Sequence, residues 1–168
     1  DLFCNNWILT QSNGFFLFPM LAPNRRIERR QDVVDVMPYP LLKDYTALET
    51  EGKFLESTGS LVLDRPHCMA YAALSPRTEQ RLVEDWCQEN EYTPVIFESY
   101  DKKGQLEYHT NVIMFIGSRL AGICLENVEH KLRTHLKSAL SKHHTLLELT
   151  SHQVEHFAGN AIELKNPM

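Results

Sequence analysis

Three polar clusters stand where the chain enters apolar segments: "FCNNW" (3–7), "FLESTGS" (54–60) and "YHTN" (108–111). His109 in the third cluster is suited to general acid–base work, because an imidazole titrates close to neutral pH. A partly buried carboxylate at Glu56, in the second cluster, would orient such a histidine or bind a cation. The spacing therefore predicts an acid–base site, provided that the fold brings the clusters together.

Asn5, Asn6 and Asn111 belong to the same clusters and offer neutral donors and acceptors suited to a planar polar substrate. Taken one at a time, each of these residues also fits a structural role. An asparagine before a strand is commonly a turn residue, and a histidine at a strand edge is commonly structural or exposed. Thr58 and Ser60 would then only shape a turn around Gly59.

The sequence predicts neither a metal site nor a cofactor. His152 and His156 have the i, i+4 spacing of a helical metal pair, but the glutamate of an HExxH motif and a third ligand are missing. His143 and His144 end a predicted helix, where cationic groups favour the helix dipole. No GxGxxG or P-loop motif is present.

The composition excludes several functional classes. The 168 residues contain 17 basic and 22 acidic side chains without a basic stripe, which argues against a nucleic-acid partner. No apolar run approaches the roughly 20 residues of a membrane span. The four cysteines are widely separated, which predicts reduced thiols in a cytoplasmic protein. The apolar contexts of Cys68, Cys87 and Cys124 predict buried thiols.

Two stretches share the order strand, strand, helix, strand, at an offset of roughly fifty residues. Their strands are short, apolar and rich in β-branched or aromatic residues, and leucines and Trp86 recur at helical spacing. The first unit has predicted strands over 60–64, 68–74 and 93–99 and a predicted helix over 76–90. The second has predicted strands over 111–116, 120–126 and 145–150 and a predicted helix over 127–143.

A third unit is traced upstream as a strand over 14–21, a helix over 24–37 capped by Asn24, and a turn over 37–42. A further unit would begin downstream with a helix over 151–158 and a strand over 160–164. We therefore expect residues 1–168 to form one α/β domain of about three units plus the start of another. Such units would close into an α/β propeller or stack as a long sandwich.

Six blocks together resemble the pentein superfamily of guanidino-group-modifying enzymes, especially its amidinotransferase-like and citrulline-utilising hydrolase branch. In order, they are "NNW", "FPMLAPNRRIERR", "GKFLESTGSLVLDR", "AYAALSPRT", "YHTNVIMFIG" and "FAGNAIEL". The resemblance implies a five-bladed α/β propeller, here incomplete. It also implies cleavage of a C–N bond of a linear amidine or ureido compound through a covalent cysteine intermediate.

Position by position, the resemblance implies that His109 and Glu56 are catalytic. It makes Asn5, Asn6, Asn111 and Asn160 candidates for substrate binding. Asn6 and Asn111 stand where arginine deiminases have aspartates that grip a guanidinium. Two fewer negative charges favour a neutral, citrulline-like substrate over arginine.

None of the four cysteines matches the nucleophile motif of the family, so we expect that cysteine beyond the C-terminus and expect no turnover from these residues alone. A catalytically inactive pentein domain that binds a small molecule or protein is the alternative. A purely structural repeat is a third hypothesis, in which Glu56, His109 and Asn6 would lie apart. An incomplete propeller would expose a sheet edge, which makes homo-oligomer formation a further prediction.

Overall fold

The computed structural model describes residues 5–164, and within them lie three small three-stranded sheets. In each sheet the first two strands are antiparallel, and the third runs parallel to the second, which lies in the middle. The strands are β1 (Ile8–Gln11), β2 (Gly14–Leu17), β3 (Leu41–Asp44), β4 (Val62–Asp64), β5 (Met69–Ala73), β6 (Thr93–Phe97), β7 (Met114–Ile116), β8 (Leu120–Ile123) and β9 (Thr145–Glu148).

Helices lie between the second and third strands of each sheet and at the junctions between sheets. They are α1 (Pro23–Arg26), α2 (Gln31–Asp35), α3 (Ser57–Ser60), α4 (Gln80–Glu89), α5 (Thr110–Ile113), α6 (His130–Ser141) and α7 (Ser151–Glu155), with 3-10 turns at Thr46–Glu51, Arg65–His67 and Leu125–Asn127. The repeated order of strand, strand, helix and strand that the sequence predicts is therefore present. None of these helices is long and apolar enough to cross a bilayer.

The middle strand of the second sheet shows how the units stack. Ala70 and Ala72 of β5 pack with Trp86 of α4 in an apolar cluster shared with the first sheet. Tyr71 and Ala73 point to the opposite face and join a cluster shared with the third sheet. Both faces of β5 are therefore buried, which explains why its sequence is continuously apolar rather than alternating.

The two long helices fill the layers between successive sheets. α4 buries Leu82 and Trp86, and α6 buries Leu136 and Leu140, as the helical spacing predicts. Leu132 is only partly buried against the same cluster as Leu136. Complete burial of a large apolar side chain contributes about 1.5–3 kcal/mol, so these four positions are a substantial part of the stability of the stack.

The prediction of one continuous helix over 24–37 is wrong. It is two short helices, α1 and α2, and the residue before α1 is Ala22, so Asn24 is not the N-cap. Arg26 donates to the carbonyl oxygen of Met20, and Arg29 donates to that of Phe18. These bonds turn the segment back onto the chain that precedes it, which explains the break between the helices.

Strand predictions around the first sheet also need correction. The segment 37–42 was expected to be a turn, but β3 begins at Leu41 and pairs in parallel with β2. β1 was not predicted as a strand; it pairs with β2 in a tight antiparallel hairpin. Gly14, at the start of β2, faces the side chain of Leu42 so closely that an added Cβ would lie 2.5 Å from it.

The predicted helix over 76–90 begins four residues late, at Gln80, so Ser75 lies well before it. Ser75 instead closes a tight turn with Thr78, in which the Thr78 N–H donates to the Ser75 carbonyl at 3.0 Å. The Arg77 N–H donates to the Ser75 hydroxyl. This turn directs Arg77 toward the interior of the molecule, which matters for the site described below.

Near the end of the chain, the predicted helix over 151–158 is confirmed as the shorter α7, with Thr150 and Gln153 forming a capping box. The strand predicted over 160–164 is absent from that described stretch. The strand predicted over 111–116 begins only at Met114, because a helical turn, α5, comes first.

Candidate functional site

A buried carboxylate–imidazole pair lies at the junction between the second and third sheets. Oε2 of Glu56 is 2.6 Å from Nε2 of His109. The two residues are only 1% and 4% exposed, and 53 positions separate them in sequence. The polar clusters at 54–60 and 108–111 therefore converge, and the hypothesis of a structural repeat with scattered polar residues is wrong.

Each member of the pair immediately precedes a short helical turn that leads into a first strand. Glu56 precedes α3 and His109 precedes α5, and the two turns pack against each other. Ser57 has a φ of +44°, a conformation that is uncommon for residues other than glycine. Its hydroxyl donates to the carbonyl oxygen of Ile8, so β1 helps to hold the strained backbone next to Glu56.

Hydroxyl groups fix the two helical turns in place. The hydroxyl of Ser60 accepts from the Glu56 N–H at 2.9 Å and donates to the Arg77 carbonyl at 2.9 Å. Thr78 donates to that same hydroxyl, and Thr110 donates to the Ser60 carbonyl at 2.5 Å. A fully hydrogen-bonded buried network of this kind restricts the positions of Glu56 and the chain around His109.

The surroundings of Glu56 keep it ionised. Burial by itself would raise the pKa of the Glu56 carboxyl. The hydrogen bond and charge of His109 act in the opposite direction, with smaller contributions from the Leu21 N–H and the charge of Arg77. The net result is a Glu56 pKa below its usual value. An ionised Glu56 only accepts hydrogen bonds, so Nε2 of His109 carries the hydrogen and Nδ1 is the basic nitrogen of the neutral ring.

Gly59 allows Asn6 and His109 to approach each other. A Cβ on Gly59 would lie 2.9 Å from Cε1 and 3.0 Å from Nδ1 of His109, and 3.0 Å from the side-chain amide of Asn6. The hydrogen-bonding arrangement of that amide directs its oxygen to Arg25, accepting from Nη1 at 2.6 Å and Nη2 at 3.0 Å. The amide nitrogen then lies on the side of Gly59 and His109.

Two arginines and an aromatic ring border the pair. Nη1 of Arg77 is 3.3 Å from Oε2 of Glu56, and its guanidinium lies 5.5 Å from the centre of the Tyr108 ring. Arg25 forms an ion pair with Glu28 and adds positive charge near Glu56. Tyr108 is 47% exposed, so the pair lies close to solvent on that side.

The sequence did not single out Gly59, Arg25 or Tyr108 as parts of a site. Gly59 stands in a small-residue turn, and only its contacts with two separate clusters distinguish it from an ordinary turn glycine. Arg25 belongs to a basic segment that resembles a solvated helix face. Arg77 belongs to the segment 76–90, which was predicted as a helix, and its contact with Glu56 places it beside the pair.

The remaining predicted substrate-binding residues lie elsewhere. Asn5, Asn111 and Asn160 line a groove of about 380 Å³ that runs along β4 and β7. Neither Glu56 nor His109 is among its wall residues. The structure thus separates the predicted set into Asn6 beside the pair and three asparagines in the groove.

None of the three described cysteines contacts the pair. Burial raises the pKa of Cys87 to about 12, and it also raises that of Cys124, so both are poor nucleophiles. Cys68 is exposed, which corrects the expectation that it is buried. Cys68 directly precedes β5, and Ala73 is at the other end of that strand. Ala73 donates its backbone N–H to Thr110, the residue after His109, so Cys68 is at the end of β5 that does not contact this region. Cys4 lies outside the described residues.

Comparison with known proteins assigns the chain to a family. The profile of the family described as "N,N dimethylarginine dimethylhydrolase, eukaryotic" matches residues 1–168. The chain belongs to this family. The dimethylarginine dimethylhydrolases are penteins, so the superfamily assignment made from the sequence is confirmed. No sequence among the curated proteins matches the chain.

Solved structures share the fold of this dimethylarginine dimethylhydrolase family member. ArgZ, an arginine dihydrolase of the ornithine–ammonia cycle in cyanobacteria, superposes with a TM-score of 0.76 at 13% identity, covering 97% of this chain and 25% of its own. The N-terminal domain of ArgZ, as a cysteine-to-serine variant bound to substrate, gives a TM-score of 0.73 at 14% identity. The match covers 94% of this chain and 56% of the ArgZ domain.

DDAH from Pseudomonas aeruginosa, a cysteine-to-serine variant complexed with citrulline, has a TM-score of 0.66 at 14% identity. The match covers 96% of this chain and 57% of the Pseudomonas aeruginosa chain. The family member described here therefore spans between a quarter and just over half of the length of these neighbours. Its mixed α/β fold of three small sheets is similar to theirs.

Proposed function

We propose that the chain contributes the acid–base pair of a hydrolase that cleaves a C–N bond of a guanidino or ureido compound. The observation that carries this proposal is that the buried contact of 2.6 Å between Glu56 and His109 is bordered by the amide of Asn6 and the guanidinium of Arg77. Membership of the dimethylarginine dimethylhydrolase family supports the class of reaction. The arginine and citrulline named with the structural neighbours support the class of substrate.

In the proposed reaction, a cysteine thiolate supplied by residues beyond this chain attacks the central carbon of the planar group. A C–S bond forms, and the bond to the leaving amine then breaks as that amine takes a proton. Water adds to the resulting thio-linked intermediate, and the C–S bond breaks to return the thiolate. We further propose that residues 1–168 alone have no turnover, because none of the described cysteines contacts the pair.

His109 moves the proton in both halves of this scheme. As an acid it protonates the leaving amine, and as a base it takes a proton from the attacking water. Glu56 holds Nε2–H by accepting its hydrogen bond and stabilises the imidazolium that forms when Nδ1 gains a proton. The hydroxyl network around Ser60 keeps this geometry in place before substrate binds.

The residues around the pair favour a neutral ureido group over a cationic guanidinium. Asn6 directs its oxygen to Arg25, which leaves the amide hydrogens to face the side of Gly59 and His109. Amide hydrogens suit a carbonyl oxygen better than the N–H groups of a guanidinium. The positive charges of Arg25 and Arg77 would also suit a substrate with an anionic end, such as an amino acid.

The larger architecture completes the proposal. We propose that residues 1–168 form one domain with three of the five blades of an α/β propeller and the start of another. We also propose that Asn5, Asn111 and Asn160 contact substrate in the groove along β4 and β7. A cytoplasmic location and homo-oligomer formation remain predictions from the sequence.

A substrate screen tests the proposed reaction directly. The complete protein would be incubated with citrulline, arginine and N,N-dimethylarginine, and the released amine would be measured. We expect turnover of at least one of them, and no turnover from residues 1–168. Saturable binding of these compounds without turnover by the complete protein would overturn the proposal in favour of a binding module.

Asn6→Asp tests the choice of substrate. The carboxylate removes the amide hydrogens and adds negative charge, so we expect the ratio of kcat/KM for arginine to that for citrulline to rise about tenfold or more, the equivalent of roughly 1.4 kcal/mol. Asn13→Asp is the matched control, since it adds the same charge in the exposed turn between β1 and β2, away from the groove and the pair. An equal rise in both variants would contradict a specific role for Asn6.

A further inference from the structure

A second buried carboxylate lies between two imidazoles, away from the residues described above. Oδ2 of Asp64 is 2.7 Å from Nε2 of His144. Its carboxylate is also 2.8 Å, through Oδ1, from Nδ1 of His67. The three ligand-type atoms all lie within 4.8 Å of one another. Asp64 and His144 are buried, whereas His67 is exposed and leaves one side of the cluster open to solvent.

The elements that hold these residues belong to different units. Asp64 ends β4, and His67 ends the 3-10 turn that follows it. His144 comes 80 positions after Asp64, in the connection between α6 and β9. The helix predicted over 127–143 ends at Ser141, so His143 and His144 lie in the connection that follows it and not on the helix. A ligand at this cluster would therefore connect the second unit to the third.

His143 and the second nitrogen of His144 add to the cluster. The ring of His143 stacks on that of His67 with centroids 3.8 Å apart and planes 13° from parallel. Nδ1 of His144 is buried and lacks a hydrogen-bond partner among the described residues. The nitrogen of His144 that faces Asp64 is Nε2, so Nδ1 is not the atom that would bind a ligand at this cluster.

The ligand atoms of this cluster favour some metal ions over others. Two imidazole nitrogens and one carboxylate oxygen suit Zn²⁺ and neighbouring first-row divalent ions, whereas Mg²⁺ and Ca²⁺ prefer oxygen ligands alone. Ligand atoms about 2.1 Å from a tetrahedral zinc lie about 3.4 Å apart, so the observed contacts would need to open by about 0.6 Å. The exposed position of His67 permits that movement for its own contact with Asp64.

We propose that Asp64, His67 and His144 form a binding site for a divalent transition-metal ion that links the second and third units of the fold. Solvent completes the coordination on the open side of His67. The ion is structural, because Asp64 is at the C-terminal end of β4, whereas Glu56 precedes the helical turn that leads into the start of β4.

The test uses the complete, chelator-treated protein, with equilibrium dialysis and thermal unfolding in Zn²⁺, Mg²⁺ or Ca²⁺. At a hundredfold excess over Kd we expect Zn²⁺ to raise Tm by roughly 5–10 °C, and Mg²⁺ and Ca²⁺ to leave it unchanged. His67→Gln removes an exposed ligand without disturbing the core, so it should lose one bound Zn²⁺ per chain and most of the shift. His144→Gln should do the same.

Two controls separate this cluster from other histidine sites in the chain. The double variant His152→Gln/His156→Gln removes an exposed histidine pair whose rings lie 4.7 Å apart. His109→Gln removes the imidazole of the candidate acid–base site. Both controls should keep the Zn²⁺ that His67→Gln loses. Unchanged Zn²⁺ stoichiometry in His67→Gln and His144→Gln would overturn the proposal. Asp64, His67 and His144 would then be only a hydrogen-bonded cluster between the two units.

Discussion

Residues 5–164 include two buried pairs of a carboxylate and an imidazole that are nearly alike at the contact itself. The Glu56–His109 distance is 2.6 Å and the Asp64–His144 distance is 2.7 Å, with Nε2 as the ring atom in both. All four side chains are at most 6% exposed. Contact geometry alone therefore does not distinguish a catalytic pair from a structural one.

The surroundings of the two pairs differ. Glu56 and His109 are bordered by the amide of Asn6 and the guanidinium of Arg77, groups that can bind a polar substrate. Asp64 is instead enclosed by imidazoles, which can bind a metal but offer no cradle for a planar group. The comparison teaches that polar groups not needed by the pair itself are the better indicator of catalysis.

Removing the carboxylate from each pair gives the largest contrast. We expect Glu56→Gln to lower kcat by about 10²- to 10⁴-fold, because His109 loses the negative charge that stabilises its imidazolium, and an amide that can also donate no longer fixes its tautomer. Asp64→Asn removes the same charge from the other pair, and its folded fraction should keep kcat within about threefold. Steady-state turnover, corrected for folded protein by circular dichroism, checks both values. Similar losses of kcat in the two variants would remove the distinction between the pairs.

A smaller effect is expected from crowding the first pair without changing its chemistry. Gly59→Ala places a methyl group against His109 and Asn6, and displacement of a catalytic group by about 1 Å can cost about 10²-fold in rate. We expect kcat to fall at least tenfold.

Gly104→Ala is the matched control for this change. Gly104 has a φ of +74° and no neighbouring atom within 4 Å of an added Cβ. It should therefore lose about 1–2 kcal/mol of stability to backbone strain and keep its kcat. Urea unfolding and turnover assays separate the two effects, and full activity in Gly59→Ala would show that the close approach is not needed.

The smallest effect concerns stability and pH. The hydrogen bond and charge of His109 outweigh the effect of burial and hold the folded pKa of Glu56 below the ordinary value of a glutamate, so ionisation of Glu56 stabilises the protein fully above that ordinary value. That stabilisation is lost as the pH falls through the folded pKa. Glu56→Gln should therefore lower the free energy of unfolding by about 1–3 kcal/mol at pH 7 and by less near pH 4. Urea unfolding at the two values checks this, and an equal difference at both would contradict it.

The sequence predicted the repeated units because β-branched runs and leucine spacing depend on local chemistry. It did not predict that Glu56 and His109 precede helical turns, since those turns form through long-range bonds such as that from Thr110 to Ser60. The helix predicted over 76–90 begins late for the same reason, because the turn at Ser75 is held by Arg77, whose guanidinium contacts the distant Glu56.

The site was only partly predictable. The resemblance to penteins indicated Glu56, His109 and Asn6, which converge, but no pattern in the sequence indicated that Gly59 allows Asn6 and His109 to approach each other. Asp64 and His144 escaped notice because 80 residues separate them and neither belongs to a motif. Pairs of this kind are visible only after the units have stacked.

The most direct test of the account is a comparison of His109→Gln with His144→Gln in the complete protein, with kcat measured for the best substrate under identical conditions. We expect kcat to fall by 10²-fold or more in His109→Gln, and to stay within about threefold of the unsubstituted protein in folded His144→Gln. An active His109→Gln, or an equal loss of kcat in both variants, would contradict the assignment of Glu56 and His109 as the acid–base pair.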